Sequence, residues 1–191
     1  MKKVILLDEN IYICNALREI LPQSYEPREL VAEFNDIEVL KSELPLLEYD
    51  VLIMEPKGYS YNFHESMHFI QYFQRNYGYE KKLIVLTTIP KEIFFLLLDG
   101  CFVSSVIGKS ISMSKLKYQL DEVMNHWGKH MFPPSVLTSS ESQVLKAIIS
   151  GRSLYEISRY RECSPKTVSH HKRSGLKKLG VNSIQALLAS V

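Results

Sequence analysis

Between Ser164 and Val181 the chain reads Ser-Pro-Lys-Thr-Val-Ser-His-His-Lys-Arg-Ser-Gly-Leu-Lys-Lys-Leu-Gly-Val. Ser164 has the side chain of a helix N-cap, and Pro165 follows where the missing N–H of a first helical residue costs nothing. Val168, Leu176 and Leu179 fall close to helical spacing and mark one buried stripe, broken only by small residues. Lys166, Ser169, His170, Lys172, Arg173 and Lys177 lie off that stripe, and Gly180 closes the segment as a C-terminal cap. The spacing predicts a helix from about Pro165 to Leu179 with an apolar back and a cationic, hydrogen-bonding front. Such a front suits a nucleic-acid groove: the cations meet phosphates, and the fork of Arg173 matches the two acceptors of guanine.

A second set of residues able to do chemistry is Asp8, Glu9, Glu55, Thr87 and Lys109. They gain meaning from the elements that must carry them. Apolar runs at Lys2–Leu7, Glu29–Phe34, Asp50–Glu55, Lys82–Thr87 and Val103–Ile107 read as strands. Helical spacing follows each of them, at about Ile11–Leu21, Asp36–Leu44, Glu65–Arg75, Lys91–Asp99 and Ser114–Trp127. Strands alternating with helices predict a parallel sheet covered on both faces. In such sheets chemistry collects at the carboxyl ends of the strands, where all five residues fall.

The basic helix has its own supports. Thr138-Ser-Ser-Glu141 is a capping-box pattern opening a helix through about Ile149, which Gly151 ends. Leu154 to Tyr160 form a short second helix before a turn at Cys163-Ser164. A scaffold helix, a short helix, a tight turn and a basic helix together read as a helix-turn-helix.

Leu137 to Val191 resembles DNA-binding domains of the LuxR/NarL (FixJ) type. The matching features are Leu137-Thr138, Glu141, Val144-Leu145, Gly151, Glu156-Ile157, Lys166-Thr167-Val168, His171 and Lys178-Leu179-Gly180-Val181. The string Lys166-Thr-Val-Ser with Lys172-Arg-Ser and Lys178-Leu-Gly-Val is most similar to the RcsB-like subgroup. The resemblance implies an all-α four-helix helix-turn-helix domain over 137–191. It places Ser169, His170 and Arg173 against bases and Lys166 and Thr167 near phosphates, where Lys172 and Lys177 are expected as well. It also implies that His171 faces inward and that the last helix, about Ser183 to Ser190, is a dimer surface.

Asp8, Glu9, Glu55, Thr87 and Lys109 together resemble the phosphorylation site of response-regulator receiver domains. That likeness covers about residues 1–125 and implies a flavodoxin-type, doubly wound, five-stranded parallel sheet in a domain over 1–128. In that family acids hold Mg²⁺, an aspartate accepts the phosphoryl group, and a hydroxyl and a lysine bind its oxygens. Asp8 and Glu9 stand for the acid pair that would hold Mg²⁺, Thr87 for the hydroxyl and Lys109 for the lysine. Glu55 stands at the acceptor position and is one methylene longer than aspartate. Pro56-Lys-Gly-Tyr-Ser-Tyr and Val106 also depart from the family pattern. The expectation is a degenerate receiver that takes no phosphate from a kinase, has no resident cofactor, and pairs Glu55 with Lys109.

Of the 191 residues 46% are hydrophobic and 23% charged, which suits folded domains and not disorder. The net charge of +2 hides an asymmetry: residues 137–191 carry nine Lys/Arg against three Asp/Glu, leaving the first part acidic. A basic module beside an acidic one suggests that only the former meets a polyanion. The longest apolar run, Ile93 to Leu98, is too short to cross a membrane, and Asp8-Glu9 interrupts what faintly imitates a signal peptide. Cys14, Cys101 and Cys163 are odd in number and widely spaced, as for reduced thiols in a cytosol.

These readings add up to a cytoplasmic, nucleoid-associated bacterial transcription regulator that is not an enzyme. Its expected partners are double-stranded DNA, a second copy or another LuxR-type regulator, and RNA polymerase; no membrane is involved. Two rivals are a phosphoryl-accepting, enzyme-like receiver and an adaptor that sequesters a related regulator without touching DNA. Residues 129–136 read as a linker stiffened by Pro133-Pro134. The pairs His126/His130 and His64/His68 have metal-ligand spacing but no third ligand, and read as surface histidines. Tyr59, Tyr61, Phe63, Phe69, Tyr72, Phe73, Tyr77 and Tyr79 read mainly as core cover. Ile93–Leu98 is expected to leave an exposed apolar patch.

Overall fold

The computed structural model describes residues 1–24, 26–78, 80–98, 101, 103–125 and 136–189. Five apolar runs form strands β1 (Lys2–Leu7), β2 (Arg28–Phe34), β3 (Val51–Met54), β4 (Lys82–Thr87) and β5 (Ser105–Gly108). They make one sheet in the order β2-β1-β3-β4-β5, every neighbouring pair parallel. This is the doubly wound order expected from the sequence, with the switch point between β1 and β3. Parallel strands need crossovers, which helices α1 (Ile11–Ile20), α2 (Ile37–Glu43), α3 (Phe63–Tyr77) and α4 (Lys91–Leu97) supply, and α5 (Met113–Asn125) follows β5. Side chains from β1, β3 and β4 alternate into a core shared with α1 and α5, including Val4, Leu6, Leu17, Ile53, Ile84, Leu116 and Leu120.

Local chemistry sets the boundaries. Asn10 and Asp36 cap α1 and α2. Asn62 and Glu65 form a capping box that starts α3 two residues before the apolar periodicity does. The fifth strand begins at Ser105, not at the expected Val103. The C-terminal end of α5 is held by cations from three strand starts. Lys2 Nζ donates to the Met124 carbonyl at 2.6 Å and Lys82 Nζ to that of Val123. The buried Arg28 guanidinium donates to Asn125 Oδ1 at 2.8 Å and pairs with Asp121. Positive charge at the negative end of a helix is stabilising, and burial pushes the Lys82 ammonium down to about 8.

The chain divides into two compact units, Met1–Thr88 with Gly100–Met131 and Ile89–Asp99 with Phe132–Val191. The second contains α6 (Ser139–Ile149), α7 (Leu154–Tyr160), α8 (Pro165–Lys178) and α9 (Ile184–Ala189), around a small core of Val144, Ile157 and Val168. Each of the first three is capped at its start, by Thr138, Ser153 and Ser164. Each also ends in a Schellman motif, with a left-handed residue just past the cap. Two of these are Gly151 (φ 85°) and Gly180 (φ 71°), but the third, in the turn before α8, is Glu162 (φ 51°). A Cβ in that region is strained by about 1 kcal/mol. Glu162→Gly is therefore expected to raise the stability of this unit by up to about 1 kcal/mol. Urea unfolding checks it; a variant less stable than the parent would contradict it.

Other expectations resolve at this level. Tyr61, Phe69 and Phe73 are buried, and Phe73 packs with Tyr49 and Tyr77, so most of the aromatic set covers core. Tyr59 is the exception and is fully exposed. The exposed patch expected at Ile93–Leu98 does not form. Ile93, Phe94, Leu96 and Leu98 are all buried, and Phe95 and Leu97 are half-buried. His64 and His68 are exposed, with Nε2 atoms 3.0 Å apart. His126, His130, Trp127, Tyr79, Pro133-Pro134 and all of the expected linker but Val136 lie outside the described residues.

Candidate nucleic-acid interface and acid cluster

Helix α8 carries the first site. Its back is Val168, Gly175 and Leu176, all buried. Gly175 matters by what it lacks: a Cβ there would stand 2.9 Å from Leu145 Cδ1 and 3.5 Å from Glu141 Cβ on α6. Glycine lets the two helices cross closely, which the expected stripe of apolar and small residues had only outlined. The front presents Lys166, Thr167, His170, Arg173 and Lys177 exposed, with Ser169 and Lys172 half-buried beside them. His171 is half-buried against the His170 ring. All seven residues expected at a nucleic-acid surface therefore share this helix.

The cations divide into two kinds. Lys178 is structural: its Nζ lies 2.8 Å from Glu141 Oε2. Lys166, Arg173 and Lys177 make no ion pair among the described residues. Glu141 is a hub as well as the cap expected of it. It closes the capping box on the Thr138 N–H at 2.7 Å and accepts from Ser174 Oγ at 2.8 Å as well as from Lys178. The Lys178 bond first, then the Thr138 N–H, hold its carboxyl down at about 2 against the upward push of burial. Its capping role was legible from Thr138-x-x-Glu141, but its partners on α8 were not.

The strand ends carry the second site. Lys109, just past β5, reaches Asp8 Oδ2 at 2.6 Å and Glu55 Oε2 at 2.8 Å. Thr87 Oγ1 donates to Glu55 Oε1 at 2.9 Å. All four side chains are almost enclosed, and burial pushes the Glu55 carboxyl up while Lys109 and Thr87 pull it back. The expected Glu55–Lys109 pair is present.

Glu9 departs from the expected acid pair. Its two oxygens accept from the Tyr59 and Ser60 backbone N–H groups, the latter at 2.7 Å. Against the push of burial, those donors hold Glu9 below the usual carboxylate range. The loop they belong to is tightly seated: Tyr61 donates to the Glu55 carbonyl at 3.0 Å. A Cβ on Gly58 would come within 2.7 Å of the Tyr61 ring and 2.9 Å of Glu9 Oε1. The donor set therefore does not fit the Mg²⁺ considered for Asp8 and Glu9. An ammonium already neutralises Asp8, and Glu9 is spent on backbone amides. A hard divalent cation needs several free oxygens at once.

The model for bacterial regulatory proteins of the luxR family (GerE) matches residues 135–191. Over nearly the whole chain, the transcriptional regulatory protein RcsB of Escherichia coli (strain K12) is 27% identical, spanning 97% of this chain and 91% of that one. Two solved structures are similar throughout. One, of two RcsB dimers bound to two parallel DNAs, is 29% identical with a TM-score of 0.66, covering 100% of this chain and 98% of that one. The other, of the two-component response regulator RcsB bound to DNA, is 30% identical with a TM-score of 0.64, covering 99% and 96%.

Proposed function

We propose, from the premise that this chain belongs to the luxR family of bacterial regulatory proteins and is built like RcsB along its length, that it regulates transcription by binding duplex DNA through α8, without a phosphoryl group at residue 55. The observation that carries DNA binding is the row Lys166, His170, Arg173 and Lys177. It lies on one helical face, exposed, and its three permanent cations make no ion pair among the described residues. Arg173 offers its fork to guanine O6 and N7, while Ser169 and His170 meet neighbouring bases. Lys166, Thr167, Lys172 and Lys177 meet phosphates and fix the register of the helix.

One helix reads only a few base pairs, so a dimer on two half-sites about 34 Å apart is the natural arrangement. One of the similar RcsB structures holds two dimers on two parallel DNAs. The second subunit is either another copy or a related luxR-type regulator, and RNA polymerase is the further protein partner. The setting is the bacterial cytoplasm, at the nucleoid; among the described residues no helix is long and apolar enough to cross a membrane.

Phosphorylation independence is supported by where Glu55 stands. It already holds Thr87 Oγ1 and Lys109 Nζ, the two donors that a receiver would turn toward phosphoryl oxygens. The chain supplies its own anion there. Activity is then set by protein level and by partner choice.

Binding of the full chain to duplex DNA should weaken steeply with KCl, by close to one unit of log–log slope per phosphate contacted. Arg173→Ala should cost about 1–3 kcal/mol on a duplex selected with the parent chain and far less on random duplex. Salt-independent binding, or none, would end the DNA reading. Treatment with acetyl phosphate and Mg²⁺ should leave both the intact mass and the DNA affinity unchanged. A phosphoryl adduct would restore the enzyme-like receiver instead.

A further inference from the structure

At the C-terminal end of α8 lies an open hollow of about 280 Å³, lined by Arg173, Leu176, Lys177, Gly180, Val181 and Asn182. Among the described residues, two of these are exposed cations with no ion pair, and no carboxylate lines the hollow. Helix C-termini ordinarily repel anions through their free carbonyls. Here that repulsion is muted. The Leu179, Gly180 and Val181 N–H groups donate to the Gly175, Lys177 and Leu176 carbonyls at 3.1, 3.1 and 3.0 Å. The left-handed Gly180 turns the chain back so that Val181 and Asn182 border the helix end.

Length says what the hollow meets. Lys166 and Lys177 stand at opposite ends of one helical face, roughly 16 Å apart at about 1.5 Å per residue. The major groove is only about 12 Å wide. A helix lying across it with Lys166 near one backbone therefore brings its other end onto the opposite backbone. The hollow far exceeds one water's share of about 30 Å³, so it has room for a sugar and its phosphate. Leu176 and Val181 offer the sugar an apolar wall, and Asn182 is exposed at the rim.

We propose that this hollow seats one sugar-phosphate unit of the strand bordering the groove, with the Asn182 amide donating a hydrogen bond to the phosphate beside Lys177. This rests on the DNA-binding reading above and adds to it a contact outside the recognition helix. Asn182 positions the helix and carries no base specificity, because a phosphate is the same at every step.

The test uses the full chain and two fluorescent duplexes, one selected with the parent and one random, titrated across KCl. Asn182→Ala is expected to weaken both about three- to tenfold, as for one lost hydrogen bond. Its salt slope should match the parent's, because a neutral amide displaces no counterion. Lys177→Ala should weaken both and lower the slope by about one. Asn182→Asp should bind worse than Asn182→Ala on both duplexes. Melting temperatures should be unchanged, since Asn182 is exposed. Parent-like binding by Asn182→Ala, alongside a weakened Lys177→Ala, would overturn the proposal and leave the DNA reading standing. A loss confined to the selected duplex would overturn it too, by making Asn182 a base reader. Absence of duplex binding by the parent would instead remove the DNA reading itself. A deoxynucleoside monophosphate alone should leave the melting temperature unmoved. A saturable shift abolished by Asn182→Ala would assign the hollow to a free nucleotide and overturn the proposal.

Discussion

Lys109→Met is expected to destabilise the N-terminal unit by about 3–5 kcal/mol, the usual result of stripping the partner from buried charge. The Asp8, Glu55 and Lys109 side chains are 3%, 9% and 11% exposed, so two carboxylates would be left facing each other with little water to screen them. Methionine keeps most of the volume, which separates the charge effect from a cavity effect. Glu55→Gln added to Lys109→Met should recover a good part of the loss, because it removes one of the two uncompensated anions. The pH dependence has a definite sign. Glu55 is already pushed above its ordinary value by burial, and losing Lys109 pushes it further. A carboxyl raised in the folded state binds its proton there first, so acidification favours folding over that window. The penalty should therefore shrink from about pH 8 to about pH 5. Urea unfolding followed by circular dichroism checks both parts. A Lys109→Met variant within about 0.5 kcal/mol of the parent would mean that the pair does not hold this site together.

Glu141→Ala is the counterpart in the second unit. It removes the capping acceptor of α6 and strands Ser174 and Lys178 on α8, so a loss of about 2–4 kcal/mol is expected. Glu141→Gln keeps the shape and the cap and should lose less. Because Glu141 is held down at about 2 in the fold, its stabilising contribution is complete above its unfolded value near 4.5 and disappears as pH falls toward 2. A shift of that size corresponds to at most about 3 kcal/mol. Lys178 is 39% exposed, however, and screening by water reduces the contribution to about 1–2 kcal/mol. Acid titration of the melting temperature for the parent and for Glu141→Gln should converge near pH 2. Curves that stay parallel would assign the loss to packing alone.

The sheet was legible because buried strands of a parallel sheet are nearly pure apolar runs, and those ending at Asp8 and Glu55 stand out from their surroundings. Helix α8 was legible because Ser164-Pro165 at its start and Gly180 past its end are local signals with local causes. Arg28 and Lys82 were not. A charged residue at the start of a strand ordinarily reads as a solvated flank, and only the end of α5, distant in sequence, gives these two a reason to be buried. The left-handed turn at Glu162 was invisible because no glycine marks it. The pairing of Glu9 with backbone amides was hidden for a different reason. Adjacency in sequence put Asp8 and Glu9 together, while successive side chains at a strand end leave in different directions, one toward Lys109 and the other toward the Tyr59 loop.

The bare α-carbon of Gly175 reaches beyond the core it completes. It sits on the same rigid rod as Arg173, two positions on, and it sets how deeply that rod sinks into its bed on α6. One methyl group there would press on Leu145, and either that side chain gives way or the rod rises with Arg173 and the rest of its exposed row. If α8 reads bases as proposed, the seating of its reading face rests in part on a residue that never meets them, and on a hydrogen atom rather than a functional group.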